Sequence, residues 1–234
     1  KLAAFASQTC GGTITVNKYI DSVGPDSRGG AGWTYNIAGT TKTTDSNGQT
    51  DAVHVSAGSN YTVTETNMLS GYSYGSASCK NQNGVSVGTP DNANKKVTGI
   101  TISDSDIISC DFINILNKGS ITIIKDSQPD SSQDFGFTTT GDGLSNFSLD
   151  DDDDATLLNT KTFNNLLPGS YTVTEASGDF VSWALTNLVC EDPTNDSSVD
   201  KTNREASINL AAGENVTCTY TNTMKGVIGG HKYE

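Results

Sequence analysis

The chain has 234 residues, with 27 Asp and Glu against 14 Lys and Arg, a formal net charge of −13, and only 34% hydrophobic residues. That balance excludes a basic nucleic-acid footprint and polybasic attachment to an anionic membrane, and no apolar run approaches the roughly 20 residues that span a bilayer. With two histidines, His54 and His231, and two arginines, Arg28 and Arg204, there is little material for a His-based dyad or a zinc site.

In chain order the sequence opens on an arm, residues 1–10, ending at Cys10. It begins without Met and carries no signal-like segment, as expected of a processed secreted product or a fragment; Ala4-Phe5-Ala6 weakly matches a cleavage site. Gly12–Lys18 then alternates apolar and polar residues, the signature of a strand. Turn chemistry follows at Asp45-Ser-Asn-Gly48, read as a hairpin turn, and at Ala57-Gly58. Tyr61–Glu65 is the next clear strand, and Cys110–Asn114 closes the first half. The link Ile115–Lys118 is too short to be a floppy tether. Gly119–Lys125 begins a second series. It continues through an acidic run at Asp150–Asp154, a Pro168-Gly169 turn, Tyr171–Glu175 and Cys218–Asn222. A tail, residues 226–234, ends the chain. No segment holds a helical period for more than two turns.

The two series are copies. Gly12-Thr-Ile-Thr-Val-Asn-Lys18 answers Gly119-Ser-Ile-Thr-Ile-Ile-Lys125. Tyr61-Thr-Val-Thr-Glu65 recurs as Tyr171-Thr-Val-Thr-Glu175, and Cys110-Asp-Phe-Ile-Asn114 as Cys218-Thr-Tyr-Thr-Asn222. The offsets are 107 for the lysines, 110 for the glutamates and 108 for the asparagines. Landmarks in one order at nearly one offset define two homologous domains, 11–117 and 118–225. Many short alternating strands in about 105 residues predict an all-β fold: two tandem antiparallel β-sandwiches in a rod-like arrangement. The duplication also sorts the cysteines. Cys79 matches Cys190 and Cys110 matches Cys218, so of the possible pairings only Cys79–Cys110 with Cys190–Cys218 respects the repeat. Free, buried thiols are the rival reading. Disulfides would place the chain in an oxidising, extracellular compartment. Cys10 is left over and is a candidate for an intermolecular bond.

Period-2 arithmetic then gives a sharper result. Ile14, Val16 and Lys18 share one strand face, as do Ile121, Ile123 and Lys125. Tyr61, Val63 and Glu65 share another; so do Tyr171, Val173 and Glu175. Cys110, Phe112 and Asn114 line up, matched by Cys218, Tyr220 and Asn222. Each apolar stripe thus ends in a polar residue aimed at the core, and the same Lys, Glu and Asn trio recurs. Burial lowers a lysine's pKa and raises a glutamate's. A neutral amine beside an Asn amide and a protonated carboxyl can attack the amide, release ammonia and leave a Lys–Asn isopeptide bond. The competing reading is that strand ends are wet: the lysines snorkel and the glutamates form ordinary salt bridges.

These residues resemble those of Cna B-type, prealbumin-like domains of Gram-positive pilins and surface adhesins. The resemblance rests on the Lys-ending first strand, the Tyr-x-Val-x-Glu strand and the Phe/Tyr-x-Asn last strand. Glu65-Thr66 with Gly71-Tyr72 is similar to the pilin E-box. Phe147-Ser-Leu-Asp150, Pro168–Glu175 and Cys218–Thr223 match prealbumin-like repeats. The likeness covers most of residues 11–223 and is weaker in the first domain. It implies autocatalytic isopeptides Lys18–Asn114, with Glu65, and Lys125–Asn222, with Glu175. The chain lacks a Leu-Pro-x-Thr-Gly signal and a clear Tyr-Pro-Lys motif, so the resemblance implies intradomain bonds and not sortase-type links between subunits.

Other signals are weaker. Asp150, Asp152 and Asp154 are a weak calcium candidate beside the simpler reading of a solvated turn. Asn60, Asn146, Asn195 and Asn215 lie in glycosylation sequons. Trp33 and Trp183 read as packing residues. The sequence points to a non-enzymatic, extracellular pilus-like or fibre subunit without a cofactor. Self-association would run through the terminal segments Leu2–Ala6 and Gly226–Tyr233, by strand addition to an open edge. The alternative is the stalk or ligand-binding segment of an adhesin, with a host or surface ligand. Neither involves nucleic acid or membrane insertion.

Overall fold

The computed structural model describes residues 10–152, 154–177 and 182–226. The arm Leu2–Ala6, the tail beyond Gly226, His231 and Asp153 lie outside the described residues. The chain divides into two compact units between Leu116 and Asn117.

The first unit contains β1 (Gly11–Ile20), β2 (Thr34–Ile37), β3 (Thr40–Thr43), β4 (Val53–Ser56), β5 (Gly58–Asn67), β6 (Tyr72–Asn81), β7 (Ser86–Val87), β8 (Thr89–Asp91), β9 (Lys96–Ile102) and β10 (Ile107–Leu116). They form two sheets, ordered β4-β1-β10-β6-β7 and β3-β2-β5-β9-β8. The second unit contains β11 (Gly119–Gln128), β12 (Ser131–Thr140), β13 (Phe147–Asp151), β14 (Thr160–Leu166), β15 (Gly169–Glu175), β16 (Trp183–Glu191), β17 (Ser198–Asp200), β18 (Glu205–Leu210) and β19 (Asn215–Met224). Its sheets run β14-β11-β19-β16 and β13-β12-β15-β18-β17. Among the described residues the only helical pieces are 3-10 turns at Pro25–Ser27 and Asn92–Asn94.

Each unit buries the inner faces of its two sheets. Ile14, Val16, Tyr35, Val63, Ile100 and Phe112 are sealed from solvent in the first; Ile121, Ile123, Phe135, Val173, Ala206 and Tyr220 fill the second. Full burial of such an aliphatic or aromatic side chain is worth about 1.5–3 kcal/mol. Trp33 meets the Tyr72 ring edge-on and Trp183 meets Phe135, so both indoles are core residues.

Pairing is antiparallel except at one seam in each unit. There the first and last strands run parallel: Thr13 opposes Ile107 through to Ile20 opposite Asn114, and Ser120 opposes Asn215 through to Gln128 opposite Thr223. A parallel pair needs a long crossover, and here all the intervening strands supply it. The chain therefore enters and leaves each unit along a single central seam.

The Asp45–Gly48 segment departs from the hairpin expected of it. The Asp45 carboxylate accepts the Asn47 and Gln49 N–H groups, and Gly48 adopts φ +69°. A Cβ there would lie 3.1 Å from the Lys18 carbonyl oxygen. The turn is as tight as its composition suggests, but it carries the chain from β3 in one sheet to β4 in the other. Local turn chemistry fixes the bend and not the partner of the strand that follows. Ala57-Gly58 and Pro168-Gly169 also join strands of opposite sheets.

Truncating Phe112 to Ala would remove an aromatic ring from beside the seam, where it packs edge-on against Tyr35. The expected cost is about 3–5 kcal/mol, read as a loss of amide hydrogen-exchange protection in residues 11–116 while 119–224 keep theirs.

Candidate functional site

The seam sets the spacing of the polar trio. Lys18 on β1 is in register with Phe112 on β10, and Asn114 lies two positions further along the same face. Glu65 comes from β5 in the facing sheet. All three residues lie among apolar neighbours, and Lys18 and Asn114 have no exposed surface. Lys125, Glu175 and Asn222 repeat the arrangement: Lys125 is in register with Tyr220, and Asn222 lies two residues on. The structure therefore brings each sequence-predicted trio together, under packed side chains rather than at a wet strand end.

In the first unit the glutamate is the hub. Lys18 Nζ donates to Glu65 Oε1 at 2.7 Å. Asn114 Nδ2 donates to both carboxylate oxygens, at 3.1 and 3.2 Å, and the Tyr35 hydroxyl donates to Oε1 at 3.3 Å. The Asn114 carbonyl oxygen Oδ1 is buried without a hydrogen-bond partner. Burial pulls the Lys18 ammonium down to about 8 even though Glu65 opposes the shift. Burial and the Glu65 charge push the Tyr35 hydroxyl far above its ordinary range, so it stays a donor. Tyr74, opposite Asn114 across β6, is raised to about 12 by burial and by Glu65 and Asp91.

The second unit distributes the contacts differently. Lys125 Nζ donates to the main-chain carbonyls of Asp126 and Tyr220, at 3.0 and 3.1 Å, and stands 4.0 Å from Glu175 Oε1. Arg204 takes the other oxygen, donating to Glu175 Oε2 at 2.7 Å, where Asn222 Nδ2 also donates at 3.2 Å. Glu175 Oε1 and Asn222 Oδ1 are both buried without hydrogen-bond partners. Burial draws Lys125 down to about 8. Burial raises the Glu175 carboxyl, against the pull of Asn222, Lys125 and Arg204.

Several supporting residues carry no signal in the strand pattern. The Lys18 ammonium sits 4.2 Å from the centre of the Trp33 ring, and Lys125 sits 4.1 Å from that of Phe135. A desolvated cation gains from an aromatic face, so each lysine is capped by a ring. Gly29 holds the Trp33 indole by accepting its Nε1–H at 2.8 Å. A Cβ on Gly29 would fall 2.5 Å from Lys18 Cγ, so only glycine lets the lysine stem pass. Arg204 leaves no trace in the pattern because it precedes its strand, at φ +57°.

The cysteines flank the same seam. Cys79 bonds Cys110 and Cys190 bonds Cys218, each pair directly cross-strand. Each last strand is thus tied to its antiparallel neighbour four residues before the asparagine. Cys10 is exposed and lies outside both disulfides. Asp150, Asp152 and Asp154 do converge, with carboxylate oxygens within 4.8 Å of one another. Asp150 is almost fully buried, Asp152 half-buried and Asp154 exposed.

Comparison with known proteins agrees with this architecture. A family described as a prealbumin-like fold domain matches residues 26–116 and again 121–224. The chain belongs to this prealbumin-like family. The second match runs from within β11 to the end of β19, whereas the first begins at residue 26, after β1 and Lys18. No curated protein matches the chain. Among solved structures, it is similar to the Bacillus anthracis TIE protein, at 14% identity and TM-score 0.52, covering 92% of this chain and 34% of that one. The chain thus spans about a third of that protein's length. A C-terminal fragment of pilus adhesin SpaC from Lactobacillus rhamnosus GG aligns at 13% identity and TM-score 0.48, covering 95% of this chain and all of that one. The major pilin from Streptococcus pyogenes aligns at 20% identity and TM-score 0.35, covering 92% of this chain and 99% of that one. Of these, the first, at TM-score 0.52, speaks to the fold alone.

Replacing Gly29 with Ala should displace the Lys18 stem. The expected cost is about 1–3 kcal/mol, as for other overpacked sites, measured as a lower thermal midpoint, with the same change at Gly24, where the backbone is extended and a Cβ would come no nearer than 3.9 Å to Ser27 Oγ, costing far less.

Proposed function

We propose that this chain is a non-enzymatic subunit of an extracellular surface fibre or pilus, and that each of its domains is closed by a Lys–Asn isopeptide bond. The observation that carries the reading is the buried Lys–Glu–Asn trio, placed twice, across the seam that joins the first and last strands. A surface fibre has to survive traction and proteases, and a bond across this seam ties both ends of a domain together.

The chemistry follows from the contacts in the first unit. Lys18 passes a proton to Glu65, leaving a neutral amine. The amine attacks Asn114 Cγ, and Oδ1 takes the developing negative charge. A second proton moves from the attacking nitrogen, through the carboxyl, to Nδ2, which departs as ammonia. One C–N bond forms, one breaks, and Glu65 ends with the proton taken from Lys18. The event happens once per domain, so it is maturation and not turnover.

The second unit performs the same step with Lys125, Glu175 and Asn222. Arg204 favours the charged form of Glu175, which opposes its role as proton carrier, and Lys125 has further to travel. The second bond therefore forms more slowly. Among the described residues no helix is long and apolar enough to cross a membrane. The disulfides fit an oxidising exterior. Terminal segments and Cys10 would supply the contacts between subunits.

Intact mass under denaturing conditions, after reduction, should show the loss of two ammonias. Glu65→Gln and Glu175→Gln should each restore one of them. A full mass in the unaltered chain would remove the clamp. Unreacted chain refolded from denaturant should lose the first ammonia from the peptides holding Lys18 and Asn114. That rate should be flat through neutral pH, because the neutral pair is a tautomer of the ion pair. It should fall as pH rises through about 8, where Lys18 loses the shared proton. A protein that stays monomeric at high concentration, with both tails open to protease, would refute the fibre reading.

A further inference from the structure

One acidic group lies apart from the lysine sites. Asp150 lies in β13, and Asp152 and Asp154 follow it in the loop, where the carboxylate oxygens of all three lie within 4.8 Å of one another. Leu149 takes the core face of this edge strand, and Asp150 is nevertheless only 2% exposed. Its Oδ1 is buried without a hydrogen-bond partner. The Asp152 and Asp154 carboxylates stand beside it. A buried carboxylate with two further carboxylates beside it is costly unless a cation joins them.

We propose that Asp150, Asp152 and Asp154 bind a calcium ion. The donors are hard oxygens, which suit calcium or magnesium and not the softer transition metals. Their ligand oxygens all lie within 4.8 Å of one another, close enough to share one ion at a calcium–oxygen distance of about 2.3–2.6 Å, whereas magnesium dehydrates reluctantly and is held by one or two carboxylates rather than by an all-protein cage. Asp151, pointing the other way, is used differently. Its Oδ2 accepts the Ser127 N–H at 2.7 Å and its Oδ1 accepts from Asn159 at 3.2 Å. The loop thus divides its acids: one braces β11 and the alternate ones meet each other. Water and main-chain carbonyls would complete the shell.

Equilibrium dialysis of the whole chain against calcium chloride, together with thermal melting, tests this. One calcium should bind with Kd of about 10⁻⁴–10⁻³ M, the range of extracellular modules, and should raise the melting midpoint. Asp154→Asn, at an exposed position, should weaken binding by at least about tenfold, since ligand charge count sets affinity. Asp150→Asn should abolish the calcium response and yet melt higher than the original chain in calcium-free buffer, because the uncompensated buried charge is gone. A calcium response unchanged in either variant would assign it to the acidic surface at large and overturn the site. No response to calcium, or an equal response to magnesium, would overturn it as well.

Discussion

A lysine without exposed surface is the constraint around which each unit is organised. An ammonium in a sandwich core must be paired, spread over polarisable neighbours or deprotonated. This fold does the first two and leans toward the third. Glu65 or Glu175 reaches across from the facing sheet, an aromatic ring covers the cation, and burial still pulls both lysines down to about 8. The neighbours are fitted to this group. Gly29 has no side chain because the lysine stem runs past it, and the asparagine stands two residues past the register partner, where its Nδ2 and the Lys18 amine both donate to Glu65 Oε1.

The two units solve the same problem with different second neighbours. Tyr35 donates to the glutamate in the first unit; the Arg204 guanidinium does so in the second. A neutral donor leaves the carboxyl's charge to be settled by the lysine. A permanent cation competes with the lysine for it, and Lys125 turns to main-chain oxygens instead. Duplication therefore preserved the three groups with a covalent possibility and let their electrostatic setting drift apart.

The strand pattern revealed the trio for a simple reason. In a strand half buried by a sandwich the side chains alternate strictly, so a lone polar residue on the apolar parity is visible without coordinates. Lys18, Glu65 and Asn114 obey that parity, as do Lys125, Glu175 and Asn222. The disulfides were legible from duplication alone. What stayed hidden depends on tertiary approach. Trp33 and Phe135 read as ordinary core residues, since nothing local says that a ring faces an ammonium. Arg204 sits outside any period, on a left-handed residue before β18. The Asp45–Gly48 turn declared its bend but not which sheet would receive the next strand. The acidic run read as a solvated turn because consecutive residues of an extended loop alternate in direction, which does not by itself bring carboxylates together; only the fold shows that one of them, Asp150, is enclosed.

The parallel seam also sets the order in which a unit can be completed. β1 is the first strand of its unit to be made, and its central neighbour β10 is the last. Until that final strand arrives, β1 has only β4 beside it within its sheet. A unit made from its N-terminus therefore keeps β1 open on one side until its last strand has been synthesised. The lysine and glutamate can meet early, but the amide travels on the last segment to emerge. Neither the seam nor any bond between Lys18 and Asn114 can form before β10 is made, so a truncated unit leaves β1 open along one edge.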